Sequence, residues 1–315
     1  MARYRDGEGQ EGQKIDVAGR LIISASPELT SPYLLVGCKG WLNAGEVSTG
    51  CIDFLRHSLS AHSLGYLEPR GYYIYQVPSS VPEQTLRPDT RIEDGVIKKL
   101  ETPRNEFHYW RSGGRHDLIL FSGLEPNLAW PDFAQAIIDV ARRFRAPRIY
   151  TLGAVFDRVP HTRKTRTFAV VNQAYLKDEL KHLTRFIDYE GPASFTTMLL
   201  WQARAQGTEA IALTARTPLY IQQYNAKTCY ELLKLVLVLT HLDIDLSNLK
   251  LAGEALVDMT DRAFSENASA YEQLKKLEEL FDSTLPDESQ QAVAEDFETL
   301  LQEMENLKRN GRKPH

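Results

Sequence analysis

Asp117-Leu118-Ile119-Leu120-Phe121-Ser122-Gly123 runs into Glu125-Pro126-Asn127, then into a stretch opened by Pro131, then into Arg148-Ile149-Tyr150-Thr151-Leu152-Gly153. The two outer runs are short, apolar and closed by glycine, as strands buried on both faces are. The middle stretch sets Phe133, Ile137, Val140, Ala141 and Phe144 on one helical face. Proline at its start suits a first helical turn. Strand, helix and strand in that order predict a crossover unit with parallel strands.

The same alternation extends both ways. Tyr33-Leu34-Leu35-Val36-Gly37-Cys38 reads as a first buried strand, Gly40-Trp41-Leu42-Asn43-Ala44-Gly45 as a turn, and Cys51, Phe54, Leu55 and Leu59 as a helix face. Tyr72-Tyr73-Ile74-Tyr75-Gln76-Val77 is aromatic and β-branched, so a strand is expected. Residues 78–88 carry three prolines and read as loop, and Val96 to Arg111 is expected to hold a strand pair or a short strand around Glu106-Phe107-His108-Tyr109-Trp110. Downstream come a strand at Thr167-Phe168-Ala169-Val170-Val171 and a helix through Leu176, Leu180 and Leu183. A helix over 195–205, a strand over 209–214 and a long apolar helix over 224–240 follow. This order predicts an α/β chain: a three-layer α/β/α sandwich with a mostly parallel sheet. Ligand sites in such sheets lie beyond the carboxyl ends of the strands. The Gly40-Trp41, Glu125-Pro126 and Pro160-His161 loops all follow strands, so a parallel sheet would gather them on one rim.

Residues 242–248 read as a linker. Beyond it, Ala252, Leu256, Met259, Ala263, Tyr271, Leu274 and Phe281 fall at helical spacing. Val293, Phe297, Leu300, Met304 and Leu307 do so again, after acids suited to a first turn. The expected organisation is a flexible lead over 1–20, an α/β domain over 21–245, and a C-terminal helical hairpin over 249–310. The hairpin is expected to pack on the main domain or on another subunit.

Composition narrows the class. The chain has 315 residues, 43% hydrophobic and 25% charged, with a net charge of −5. Residues 249–315 hold 8 Lys and Arg against 15 Asp and Glu, leaving 29 against 27 for the rest. An acidic tail with no compensating basic patch argues against nucleic-acid binding. Three cysteines without metal or disulfide spacing favour a reducing, cytoplasmic setting. No apolar run is long enough to span a bilayer, and the eight histidines form no metal-ligand pair near carboxylates. No cofactor is expected.

The candidate site centres on Arg158-Val159-Pro160-His161-Thr162-Arg163. His161 suits a general acid or base, or an anion donor. Its neighbours Arg158, Arg163, Lys164 and Arg166 would depress the imidazole pKa and attract a phosphate or carboxylate. The plainer reading has His161 bonded to a loop carbonyl and the arginines solvated, or His161 and Arg163 reaching a neighbouring subunit. Glu125 either orients His161 or braces its loop and caps the helix near Pro131. Trp41 either stacks on a ligand or fills a core or an interface. Gly40 and Gly45 let the turn approach a bound group. Ser122, Cys38 and Ser194 are the candidate nucleophiles, and none lies in a G-x-S-x-G elbow.

Gly40-Trp41-Leu42-Asn43-Ala44-Gly45, Gly123-Leu124-Glu125-Pro126, Val159-Pro160-His161-Thr162-Arg163, Gly191-Pro192 and Pro218-Leu219-Tyr220-Ile221 occur in this order. The ordered set, over roughly residues 33–242, resembles the PAC2 family, named for the second proteasome assembly chaperone. The resemblance implies a three-layer fold related in architecture to nucleoside phosphorylases and peptidyl-tRNA-hydrolase-like enzymes. It also implies a homo-oligomer, a trimer favoured, often with a C-terminal helical segment and without an assigned activity. Gly40, Trp41, Asn43, Glu125, His161, Thr162 and Arg163 are then ligand- or interface-binding positions. Two departures matter. Asn43 stands where an aspartate is common, and an amide is no base at neutral pH. The chain ends Lys313-Pro314-His315, without the terminal hydrophobic-tyrosine-any tripeptide that the resemblance implies for archaeal relatives that dock on proteasomes, so docking by that route is not expected.

Two functions follow. The first is a non-catalytic oligomeric assembly or protein-binding protein, the reading taken here. The second is a phosphorylase- or hydrolase-like enzyme for an anionic small molecule, with His161 as acid/base and Arg163 as anion clamp.

Overall fold

A computed structural model describes residues 13–14, 20–75 and 88–283. Its strands are β1 (Gln13–Lys14), β2 (Leu21–Ile23), β3 (Tyr33–Lys39), β4 (His62–Leu67), β5 (Asp89–Glu93), β6 (Val96–Glu101), β7 (Glu106–Trp110), β8 (Leu118–Leu124), β9 (Arg148–Asp157), β10 (Thr167–Val171), β11 (Arg185–Phe186) and β12 (Glu209–Pro218). The helices are α1 (Val47–Ser58), α2 (Trp130–Arg143), α3 (Lys177–Leu180), α4 (Phe195–Ala205), α5 (Ala226–Thr240), α6 (Ser247–Ser265) and α7 (Ala268–Ser283). Ten strands form one sheet in the order β1-β2-β4-β7-β8-β3-β9-β12-β10-β11, and β5 and β6 form a separate hairpin. The long central strands β8, β3, β9 and β12 run parallel, with antiparallel pairings on both flanks.

The period-two alternation of each central strand divides the core into two layers. Leu35, Leu120, Tyr150, Leu213 and Ala215 face Val47, Cys51, Leu55, Cys229 and Leu232 of α1 and α5. Leu34, Val36, Phe121, Ile149 and Ala212 face Phe133, Ile137, Leu199 and Ala203 of α2 and α4. The molecule is thus the expected three-layer α/β/α sandwich. Gly37 is what lets α1 cross β3 so closely. A Cβ there would sit 2.4 Å from the Ser48 carbonyl oxygen. Ser48 Oγ in turn accepts from the Cys38 amide at 3.0 Å and donates to the Leu152 carbonyl at 2.5 Å.

Four expectations change. Tyr72 to Tyr75 form a turn rather than a strand, residues 76–77 lying outside the described residues. Tyr72 and Tyr73 serve the core instead: the Tyr72 ring meets Phe133 edge-on, and Tyr73 Oη donates to Asn105 and Leu124. The helix expected through Leu183 stops after Leu180, and Leu183 is exposed. The first arm of the C-terminal hairpin is two helices, because the Asn267 side chain accepts from the amides of Ser269 and Ala270 and starts a new one. Its apolar stripe is also not a buried seam. Met259 and Tyr271 are exposed, while Leu249, Gly253, Leu274 and Glu278 are the buried residues of α6 and α7. The second arm lies outside the described residues.

Candidate functional site

β3, β8, β9 and β12 are parallel, so the loops after Lys39, Leu124, Asp157 and Pro218 leave the same edge of the sheet. The first of them is built around a carboxylate. Glu125 Oε2 accepts from the Trp41 amide at 2.5 Å, and Oε1 from the Phe195 amide at 3.2 Å. Gly40 makes the room, since a Cβ there would lie 2.1 Å from Oε2. Glu125 therefore ties the first turn to the start of α4, where unpaired amides favour an anion. It does not pair with His161, nor does it cap α2. Asn43 is a cap: its Oδ1 accepts from the Thr49 amide at 3.0 Å. Gly45, with φ of +59°, lets the turn close, and its carbonyl accepts from the Asn225 amide at 2.8 Å.

The His161 loop is sealed by the C-terminal helices. His161 is 2% exposed. Its backbone amide donates to Tyr220 Oη at 2.7 Å, and Nδ1 meets the same oxygen at 2.7 Å. Nε2 meets Asp261 Oδ1 of α6 at 2.9 Å. The Asp261 carboxylate can only accept, so Nε2 carries the proton; in the neutral ring Nδ1 is then the acceptor and Tyr220 Oη donates to it. Burial lowers the imidazole pKa, opposed by the hydrogen bond and charge of Asp261, with Lys227 reinforcing the lowering and Glu278 opposing it. The flanking arginines expected to depress it are engaged elsewhere.

Thr162 Oγ donates to Glu278 Oε1 at 2.5 Å. Arg163 reaches Asp282 at 2.8 Å and Glu278 at 3.3 Å. Arg166 donates to the Phe281 carbonyl at 2.7 Å and lies 3.6 Å over the Phe281 ring. Hydrogen bonds hold the carboxyls of Glu278 and Asp282 below their ordinary pKa, from Thr162 and Arg163 respectively. The ammonium of Lys227 donates to the carbonyls of His161 and Arg163 from beneath. The space left beside His161 is about 10 Å³, too little for more than a water.

Open space lies elsewhere. A groove of about 600 Å³ runs between α4 and the ends of β9, β12 and β10. Trp41, Phe168, Tyr189, Trp201, Arg204 and Arg216 line it. Trp41 is 57% exposed and Trp201 68%. Arg216 is paired with Asp157 at 2.8 Å. Its walls are mostly apolar, with α4 supplying Leu200 and Trp201. Among the described residues, no three His, Cys, Asp or Glu side chains converge as metal ligands, and no helix is long and apolar enough to cross a membrane.

The PAC2 family matches this sequence over residues 38–263. The chain belongs to the PAC2 family. Solved structures agree. A PAC2 family protein of Streptomyces avermitilis is 25% identical, with a TM-score of 0.65, covering 73% of this chain and 95% of its own. A proteasome-assembly chaperone homologue of Mycobacterium tuberculosis is 24% identical, with a TM-score of 0.68, over 76% and 98%. A second M. tuberculosis protein, of unknown function, is 21% identical, with a TM-score of 0.75, over 86% and 93%. The last two share the fold. No curated protein matches by sequence.

In this PAC2 protein the sequence-selected residues fall into two groups. Gly40, Trp41, Asn43 and Glu125 build the first turn at the mouth of the groove. His161, Thr162 and Arg163 lie under α6 and α7. Cys38 is no ready nucleophile, since burial raises its thiol pKa, and Ser194 caps α4 by accepting from the Thr197 amide. Sequence reading missed Tyr220 as the partner of His161, and it missed Lys227, Asp261, Glu278 and Asp282. The acids were legible only as a general excess along 249–315. Trp201 and Tyr189 carried no local signal.

Proposed function

We propose that this PAC2 protein is a non-catalytic, cytoplasmic protein that assembles with copies of itself, as a trimer, and binds a protein partner through the groove edged by Trp41 and Trp201. The seal over His161 carries this reading. The one side chain chosen as acid or base has both ring nitrogens engaged and room beside it for no more than a water. The arginine chosen as anion clamp is bound to two carboxylates of its own chain. The enzyme reading loses its acid/base and its anion site together.

The groove supports the binding half. Contiguous exposed aromatic surface of this kind marks protein contacts, and Trp is the residue most enriched at their energetic centres. A structural relative points the same way, being a proteasome-assembly chaperone homologue of M. tuberculosis. Mass photometry of the full chain tests the self-association. A species at three times the chain mass is expected in the wild type and in W41A/W201A alike, with co-purification of a protein partner from native lysate lost in W41A/W201A. A monomer at every concentration overturns the self-association, and partner capture indifferent to both tryptophans overturns the groove as its binding surface. Turnover of an anionic ester or nucleoside that His161→Ala abolishes would restore the enzyme reading.

A further inference from the structure

The loop over 158–166 and helix α7 meet as a socket and a plug. On the plug, Glu278, Phe281 and Asp282 stand at i, i+3 and i+4, one face of a single helical turn. On the socket, Thr162 and Arg163 take Glu278, Arg163 takes Asp282, and Arg166 covers the Phe281 ring while bonding its carbonyl. The match is specific in shape as well as charge. The guanidinium of Arg163 meets Asp282 through two of its nitrogens, and that of Arg166 stacks on an aromatic face.

Two features make this occupant replaceable. First, α7 is held mainly by polar contacts. Leu274 and Glu278 are its only buried residues, and Tyr271 and Leu280 are largely exposed. Ion pairs at such an exposed edge are individually weak, so α7 can open without unfolding the sandwich. Second, the socket does not depend on its plug. Lys227 fixes the carbonyls of His161 and Arg163, and Tyr220 fixes His161 from the other side. The loop backbone therefore keeps its shape when α7 leaves, with the two arginines still presented. A preorganised site of this kind loses little ordering entropy on binding.

We infer that Thr162, Arg163 and Arg166 form a recognition socket for an acidic-aromatic helical turn, filled in this conformation by α7 and opened, when α7 lifts, to a partner protein's helix with acids and an aromatic at the same spacing. The inference rests on the protein-binding reading and names a second surface and a partner chemistry for it. The charge balance fits, since residues 249–315 are strongly acidic while the rest of the chain is slightly basic.

The probe is a dye-labelled peptide of residues 268–283, titrated by fluorescence anisotropy into the full chain. Hydrogen exchange across α7 reports in parallel whether the resident helix has lifted. In the wild type α7 competes, so capture is weak. In E278A/D282A α7 should exchange faster and the peptide should bind about tenfold tighter or better, because the open fraction rises. Adding R163E, or R163Q where charge reversal disturbs folding, should abolish capture. A peptide carrying E278A, F281A and D282A should not bind. Faster exchange in α7 without gain in peptide affinity overturns the inference, as does capture that survives loss of Arg163. Unchanged exchange in E278A/D282A also overturns it, because those acids then do not hold the plug. Mass photometry on the same samples separates this from the assembly proposal. Lost capture with the oligomer intact removes the socket alone, and captured peptide on a monomer removes self-association alone.

Discussion

Glu278→Gln is the most informative single change, because it keeps shape and removes charge. The carboxylate accepts from Thr162 at 2.5 Å, Arg163 at 3.3 Å and Lys275 at 3.0 Å. Its side chain is 8% exposed, whereas those of Arg163 and Lys275 are 35% and 48% exposed. Both cations are exposed and Lys275 rides on α7 itself, so neither ion pair is counted towards holding the helix. The buried bond from Thr162 falls from charged to neutral strength, a loss of about 1 kcal/mol, or ~5-fold in the opening equilibrium of α7. Near neutral pH the amides of 268–283 should exchange about 5-fold faster, with β9 and β12 unchanged. An acceleration below about 1.5-fold would mean that Glu278 is a bystander. Equal acceleration across the sheet would mean α7 does not open on its own.

Acidification should loosen the same contact. Hydrogen bonds lower the pKa values of Glu278 and Asp282, from Thr162 and Arg163. Each carboxylate then binds more protons when α7 is released, so stability is full above the ordinary pKa and is lost as pH falls. His161 stays with Tyr220 and with Asp261 of α6 when α7 opens, so its titration adds little to this contact. Loss of α7 protection should begin below pH 4.5 and steepen below 3.8, the ordinary values for Glu278 and Asp282. Protection that is flat across that window rules this out. Gly40→Ala drives a methyl onto the Glu125 carboxylate, 2.1 Å away. It should cost about 1–3 kcal/mol in thermal or denaturant unfolding. An unchanged midpoint would show that the turn yields freely. W41A/W201A should stay within about 0.5 kcal/mol of wild-type stability, because both side chains are exposed. A large loss of stability would make them structural rather than binding residues.

The strand-helix-strand reading of 117–153 carried the architecture, because a strand buried on both faces must be apolar throughout and a crossover helix must show one apolar face. Those are local constraints, written in consecutive residues. For the same reason the Phe195–Ala205 helix was legible to its ends. Where an aromatic run served the core from a turn, as at Tyr72 and Tyr73, the same composition misled.

What no stretch of sequence contained was the partner of each polar side chain. Sequence alone determined the layers, the parallel rim and the family motifs. Tertiary structure decided that Glu125 binds two amides rather than an imidazole, and that His161 and Arg163 face acids a hundred or more residues away. Periodicity encodes which face of an element avoids water. The pairing of charges depends on how finished elements dock, and α6 and α7 dock by few buried apolar residues, the pattern that periodicity is least able to report.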